Sequence, residues 1–161
     1  MDILEGVLDE FKKLAAIPRA NGHEQAVSDF LKKYLTDAGF SVVQDAKNNI
    51  IADKPATKGY ENAPRTILQG HMDMVAVGEE GYDYDPLKDP IKLVRTDKYL
   101  EAEGTSLGAD DGIGVAEGIY LMKNAKDHGP LRLIVTTDEE RGMTGAIALD
   151  AKHLTDAQFL I

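Results

Sequence analysis

Three short polar clusters hold most of the residue types in this chain that could do chemistry: His71 with Asp73, Asp110 with Asp111, and Asp138 with Glu139 and Glu140. Imidazole and carboxylate are donors that zinc accepts, and two such ions about 3.5–4 Å apart need a carboxylate able to bridge them. Residues two apart on an extended strand face the same way, so Asp73 can stand beside His71 and fix its tautomer. Adjacent Glu139 and Glu140 point in different directions, so one can bind a metal while the other acts as base on a water. Each cluster alone also has an ordinary reading. His71 can be a histidine satisfied by a nearby carboxylate, Asp110-Asp111 a helix N-cap, and Glu139-Glu140 a solvated acidic edge. Brought to one edge of a sheet, however, these carboxylates repel one another unless cations join them.

The elements that must position these clusters are legible from hydrophobic spacing. Ile3, Val7, Leu8, Phe11, Leu14 and Ala15 recur at helical intervals, and Pro18 ends that helix. Asn21 with Glu24 predicts a capping-box start for a second helix striped by Val27, Phe30, Leu31, Tyr34, Leu35 and Ala38, with Gly39 as its C-cap. Short β segments are predicted at 40–43 and 49–52, then a loop over 54–64. Thr66, Ile67 and Leu68 form a buried-strand signal that runs into His71 and Asp73. A Gly/Asp/Pro-rich excursion spans 78–90, and 91–94 pairs with 99–101 as a hairpin. A helix is predicted from Ile113 to near Asp127, and 131–137 is the strongest strand, delivering Asp138, Glu139 and Glu140 at its end. A short helix at 145–149 and a strand beginning at 158–161 complete the pattern. Strands alternating with helices predict a layered α/β domain, whose ligand sites lie past the carboxyl ends of the strands.

Composition narrows the chemistry further. The chain has 161 residues and a net charge of −10, with no Lys/Arg cluster, which argues against nucleic-acid or anionic-membrane partners. With no cysteine, disulfides, Fe–S ligation and thiolate zinc sites are excluded. The first ten residues are amphipathic and acidic rather than leader-like, and no apolar run nears the length of a membrane span, so a cytoplasmic location is expected. Residues 104–108 lack the Gly-x-Ser-x-Gly spacing of a serine elbow. Glycines 108, 112, 114 and 118 fit neither nucleotide-loop pattern. His23, His128 and His153 read as exposed, ordinary residues.

Read together, 70–75 (Gly-His-Met-Asp-Met-Val), 104–116 (through Gly-Ala-Asp-Asp-Gly-Ile-Gly) and 136–146 (Thr-Thr-Asp-Glu-Glu-Arg-Gly-Met-Thr-Gly-Ala) resemble the M20 metallopeptidases, closest to the aminoacyl-histidine dipeptidase branch. The stretch from Asp83 to Ile91 is similar to that branch too, and Ile17-Pro18 followed by Gly22-His23-Glu24 resembles the family's N-terminal helix pair. The resemblance implies a zinc-peptidase-like α/β catalytic domain, a mixed sheet flanked by helices. It implies His71 on one metal, Asp110 bridging both, Glu140 on the other, Asp73 orienting His71, and Glu139 as general base. It also implies a cis Asp110–Asp111 peptide and two Zn2+ ions per complete site, with Mn2+ or Co2+ as alternatives. The implied substrate is a dipeptide, Xaa-His above all, cleaved by a metal-activated water. Another M20 activity (tripeptidase or N-acyl amino acid hydrolase) and a non-catalytic metal-binding module are the rival readings. Only 21 residues follow Glu140, so the family's remaining acidic and histidine ligands and its lid or dimerisation domain fall outside the chain. Residues 1–161 are therefore expected to be the N-terminal part of the catalytic domain, inactive alone and with apolar surface exposed, and a homodimeric parent enzyme stays open.

Overall fold

A computed structural model describes residues 2–161; Met1, part of the segment read as lacking a leader, lies outside them. The chain runs α1 (Ile3–Ala15), α2 (Gln25–Asp37), β1 (Ser41–Gln44), β2 (Ile50–Lys54), β3 (Arg65–His71), β4 (Leu93–Arg95), β5 (Leu100–Ala102), α3 (Ala109–Asn124), β6 (Leu131–Thr136), α4 (Thr144–Ala148), a 3-10 turn (Ala151–His153) and β7 (Ala157–Leu160). Five strands form one mixed sheet in the order β1-β2-β6-β3-β7, and β4 pairs with β5 in a separate hairpin. The β1/β2 and β2/β6 pairs are antiparallel, while β3 lies parallel to both β6 and β7. This is the mixed, helix-flanked sheet that the resemblance implies.

The core lies between the sheet and the three long helices. Phe11 and Leu14 of α1, Leu31 and Leu35 of α2, and Ile119 and Met122 of α3 meet Leu68, Leu133 and Val135 from the strands. Every residue of β6 is buried, as expected of a central strand covered on both faces. Alternation sends Leu131, Leu133 and Val135 to the helices, and Ile134 to the opposite face with Ile51 and Ile67. That second face is thinly covered, and Ile147, Phe159, Leu160 and Ile161 are exposed beyond it.

Most expected elements form, with shifted ends. The β1, β4, β5 and β7 strands are displaced by one or two residues, and α3 stops at Asn124 rather than near Asp127. Gly39 does close α2, at φ +92° and with its N–H on the Thr36 carbonyl. The capping box does not form. Glu24 itself is the N-cap residue of α2, and its carboxylate accepts from the backbone of Gly22 (2.7 Å) and Asp138 (3.2 Å). A buried carboxylate took the more distant donor because tertiary packing brought the Asp138 turn against it.

Candidate metal centre

The parallel pairing of β3 with β6 sets His71 opposite Thr136, so both strands discharge their polar ends at the same edge. The exits stay together: the Met72 N–H donates to the Thr136 carbonyl, and the Met74 N–H to the Arg19 carbonyl. The third cluster arrives from the start of α3, where Asp110 and Asp111 are non-helical and joined by a cis peptide, as the resemblance implies. Asp111 turns inward to accept from the His71 backbone N–H (3.3 Å), while the Asp110 side chain stays 87% exposed. Asp138 turns the chain after β6 with φ +55°, in the left-handed region.

His71 is the hub. Its Nδ1 lies 3.1 Å from the Asp73 carbonyl oxygen and 3.4 Å from Asp73 Oδ1. Both are acceptors, so Nδ1 carries a proton, and in the neutral ring the Nε2 lone pair is free. Nε2 faces Asp110 Oδ1 at 3.1 Å and Glu139 Oε2 at 3.9 Å. A neutral ring would set a lone pair against carboxylates, so the geometry calls for a proton or a metal cation on Nε2. Donor atoms of His71, Glu139 and Glu140 all lie within 4.8 Å of one another, a group that could hold a metal ion. The three sequence clusters therefore converge, each contributing at least one oxygen or nitrogen to a common space.

Electrostatics reflects the crowding. Burial pushes the His71 imidazolium down, but the hydrogen bond and charge of Asp73, with Asp110 and Asp111, outweigh it and raise the pKa to about 9. Burial pushes Asp73 up, yet His71 and the Glu139 and Glu140 N–H groups hold it below its ordinary value. Burial raises Asp111, helped by the charge of Asp110 and opposed by the His71 N–H and imidazole. The site thus demands positive charge, and a divalent ion meets the same demand as a proton.

The carboxylate of Asp73 does more than orient His71. It is fully buried, and its two oxygens accept the Glu139 and Glu140 N–H groups at 3.1 Å each, fixing the acidic turn to the histidine strand. Three supporting residues were not singled out as site residues from the sequence. Asn49 is buried, accepts from Thr137 N–H (3.0 Å) and donates to the Gly145 carbonyl (2.9 Å), bracing the turn from below. Arg19 donates to the Met72 and Gly108 carbonyls, and Glu24 receives the Asp138 N–H. The sequence marked Glu24 as a capping-box residue and as part of the Gly22-His23-Glu24 resemblance, not as a site residue; Arg19 and Asn49 gave no signal. Of the three set-aside histidines, His128 is buried rather than exposed, its Nδ1 on the Gly129 carbonyl, because the turn before β6 folds under the 57–63 loop. None of the three joins the centre. A cleft of about 340 Å3 opens beside His71 and Glu139, lined also by Gln69, Thr136, Met143 and Leu160.

A family profile described as peptidase family M20/M25/M40 matches residues 67–160, more than half of the chain and all three clusters. The chain belongs to that family. Among M20 relatives, the cytosol non-specific dipeptidase of Escherichia coli (strain K12) is 37% identical over 147 residues, 91% of this chain and 30% of its own length. The crystal structure of aminoacylhistidine dipeptidase from Vibrio alginolyticus superposes with a TM-score of 0.92 at 36% identity, over 99% of this chain and 34% of that one. A tripeptidase from Staphylococcus aureus subsp. aureus Mu50 superposes at 0.77 and 26% identity, over 97% of this chain and 42% of that one. The chain thus spans about a third of the length of the dipeptidases it matches. Among the described residues, no helix is long and apolar enough to cross a membrane.

Proposed function

We propose that this chain is the part of a dipeptidase catalytic domain that carries one side of a two-metal centre, and that the whole protein hydrolyses dipeptides, Xaa-His among them, in the cytoplasm. The observation that carries the reading is the convergence of His71 Nε2 on the Asp110 carboxylate at 3.1 Å, with Glu139 and Glu140 donor atoms grouped around the same imidazole. Imidazole nitrogen plus carboxylate oxygen is a donor set that zinc accepts, and the exposed Asp110 carboxylate beside His71 has a second oxygen to offer another ion. His71 would hold one ion, Glu140 the other, and Asp110 both. With two protein ligands per ion from this chain, against the three or four usual for zinc, further donors are required. Bound there, such ions polarise a peptide carbonyl and make a water acidic.

The remaining steps belong to this chain's own residues. Glu139 takes the proton of the attacking water on a carboxylate oxygen and returns it to the amine nitrogen as the peptide bond breaks. Asp73 keeps His71 in the Nδ1–H tautomer and holds the Glu139 and Glu140 backbone, so base and ligand keep their spacing while the proton moves. The cleft beside His71 falls within the size range of small-molecule sites. Similarity to dipeptidases supports the substrate class, and similarity to a tripeptidase sets its main competitor. The test is zinc titration of the protein with Asp110→Ala as control, followed by hydrolysis of Xaa-His dipeptides, tripeptides and N-acyl amino acids. Zinc binding lost in the control, with fastest turnover of dipeptides, is the expected result. Zinc binding unaffected by Asp110→Ala would sink the metal assignment, and faster tripeptide or N-acyl cleavage would replace the substrate.

A further inference from the structure

Arg19 is a cation in a place where cations are costly. It is 2% exposed, yet its guanidinium forms no carboxylate ion pair within 4.0 Å among the described residues, and its Nε has no hydrogen-bond partner there. Its Nη1 donates to the Met72 carbonyl at 3.1 Å and its Nη2 to the Gly108 carbonyl at 2.6 Å. One carbonyl immediately precedes Asp73, and the other lies two residues before Asp110. The Arg19 backbone carbonyl takes the Met74 N–H as well, so Asp73 is bracketed on both sides by one residue.

Two of the four glycines whose spacing matched no nucleotide loop have their explanation here. A Cβ on Gly108 or on Gly112 would sit within 3 Å of the guanidinium, so those two glycines form the socket that admits it. Gly108 also has φ +69°, a backbone conformation that a side chain would strain. Two glycines and an arginine distant in sequence are thus committed to one contact. An apolar side chain would fill such a socket without the cost of burying charge. What the charge adds is position: the compensating carboxylate charge comes chiefly from Asp73 and Asp111.

From this geometry we infer that Arg19 is a positioning residue for the metal centre: its planar fork sets the span between the strand exit carrying His71 and Asp73 and the α3 start carrying Asp110. The inference rests on the metal reading above, and it concerns an arginine that touches neither metal nor substrate in that reading. A guanidinium can bridge two carbonyls at a fixed separation, whereas an ammonium delivers the same charge from a single point.

The test compares wild type, Arg19→Met and Arg19→Lys in the whole protein of which this chain is a part, measuring Zn2+ affinity by chelator competition well below each protein's melting temperature, and the melt itself in chelator. Loss of a residue supporting metal ligands typically weakens metal binding by about 10–100-fold. That loss is expected for Arg19→Met, with Arg19→Lys also weakened, though less. A variant that melts earlier but binds zinc at wild-type affinity overturns the inference, since that is what a merely structural arginine gives. Arg19→Lys at full affinity overturns the fork as the cause, and failure of both variants to fold assigns Arg19 to the core instead. Wild-type protein that holds no zinc fails in a different place: it removes the metal reading, and this inference with it.

Discussion

Asp73→Asn isolates the link between the two halves of the centre. The substitution keeps the side chain's shape but replaces one acceptor oxygen with an amide NH2. In the native turn, Oδ1 accepts the Glu139 N–H and Oδ2 the Glu140 N–H, each at 3.1 Å, in a fully buried position. An asparagine can satisfy only one of them, and its NH2 is then set against the other. An unsatisfied buried donor costs about 1–3 kcal/mol, and the surviving bond loses its charge assistance, about 1 kcal/mol more. A total near 3 kcal/mol lowers the melting temperature of a domain this size by about 6–12 °C. The melt should be taken in chelator, so that only the protein's own contacts are read. Zinc affinity, measured separately on folded protein, should fall by about 10–100-fold, because both His71 and the Glu139-Glu140 backbone lose their common anchor. A melt within about 2 °C of wild type would refute the bonding argument. A large drop in the melt with unchanged zinc affinity would refute the claim that the clamp serves the metal.

In the whole protein, Glu139→Ala should abolish dipeptide turnover while elemental analysis finds metal content nearly unchanged; loss of both ions would make Glu139 a ligand. Glu10 is buried, which alone raises its pKa, but hydrogen bonds from Lys123, Tyr34 and Lys13 hold it below the ordinary glutamate value of 4.5. Its depressed folded pKa means that its contribution is fully present above 4.5 and is lost as pH falls through the lower folded value. Denaturant unfolding from pH 6 downwards should therefore show Glu10→Gln with a flatter acid limb than wild type, and parallel curves would contradict this. Asn49→Ala should cost about 2–4 kcal/mol in denaturant unfolding, because it strips partners from the buried Thr137 N–H and Gly145 carbonyl. A loss under about 0.5 kcal/mol, the range of ordinary surface substitutions, would mean that water replaces both bonds.

The residues that the fold brings together at this sheet edge could be read from the chain because their signals are local. His71, Asp73, Glu139 and Glu140 sit where an apolar run ends in polar residues, and Asp110 lies in a glycine-rich approach to a helix; a strand's direction and a helix's start are written within a few residues. The α/β layering followed from the same periodicities, with element ends shifted by a residue or two because terminal hydrogen bonds depend on neighbours. The parallel register that sets His71 opposite Thr136 depended on segments some 65 residues apart. So did the identity of each buried partner. Glu24 was read as a local cap and became the acceptor for Asp138, 114 residues away. Arg19, which drew no reading from the sequence, bridges Met72 and Gly108. Buried polar groups must be paired, but the sequence names only their types. Which donor meets which acceptor is decided when packing excludes water and leaves one arrangement with the fewest groups unsatisfied.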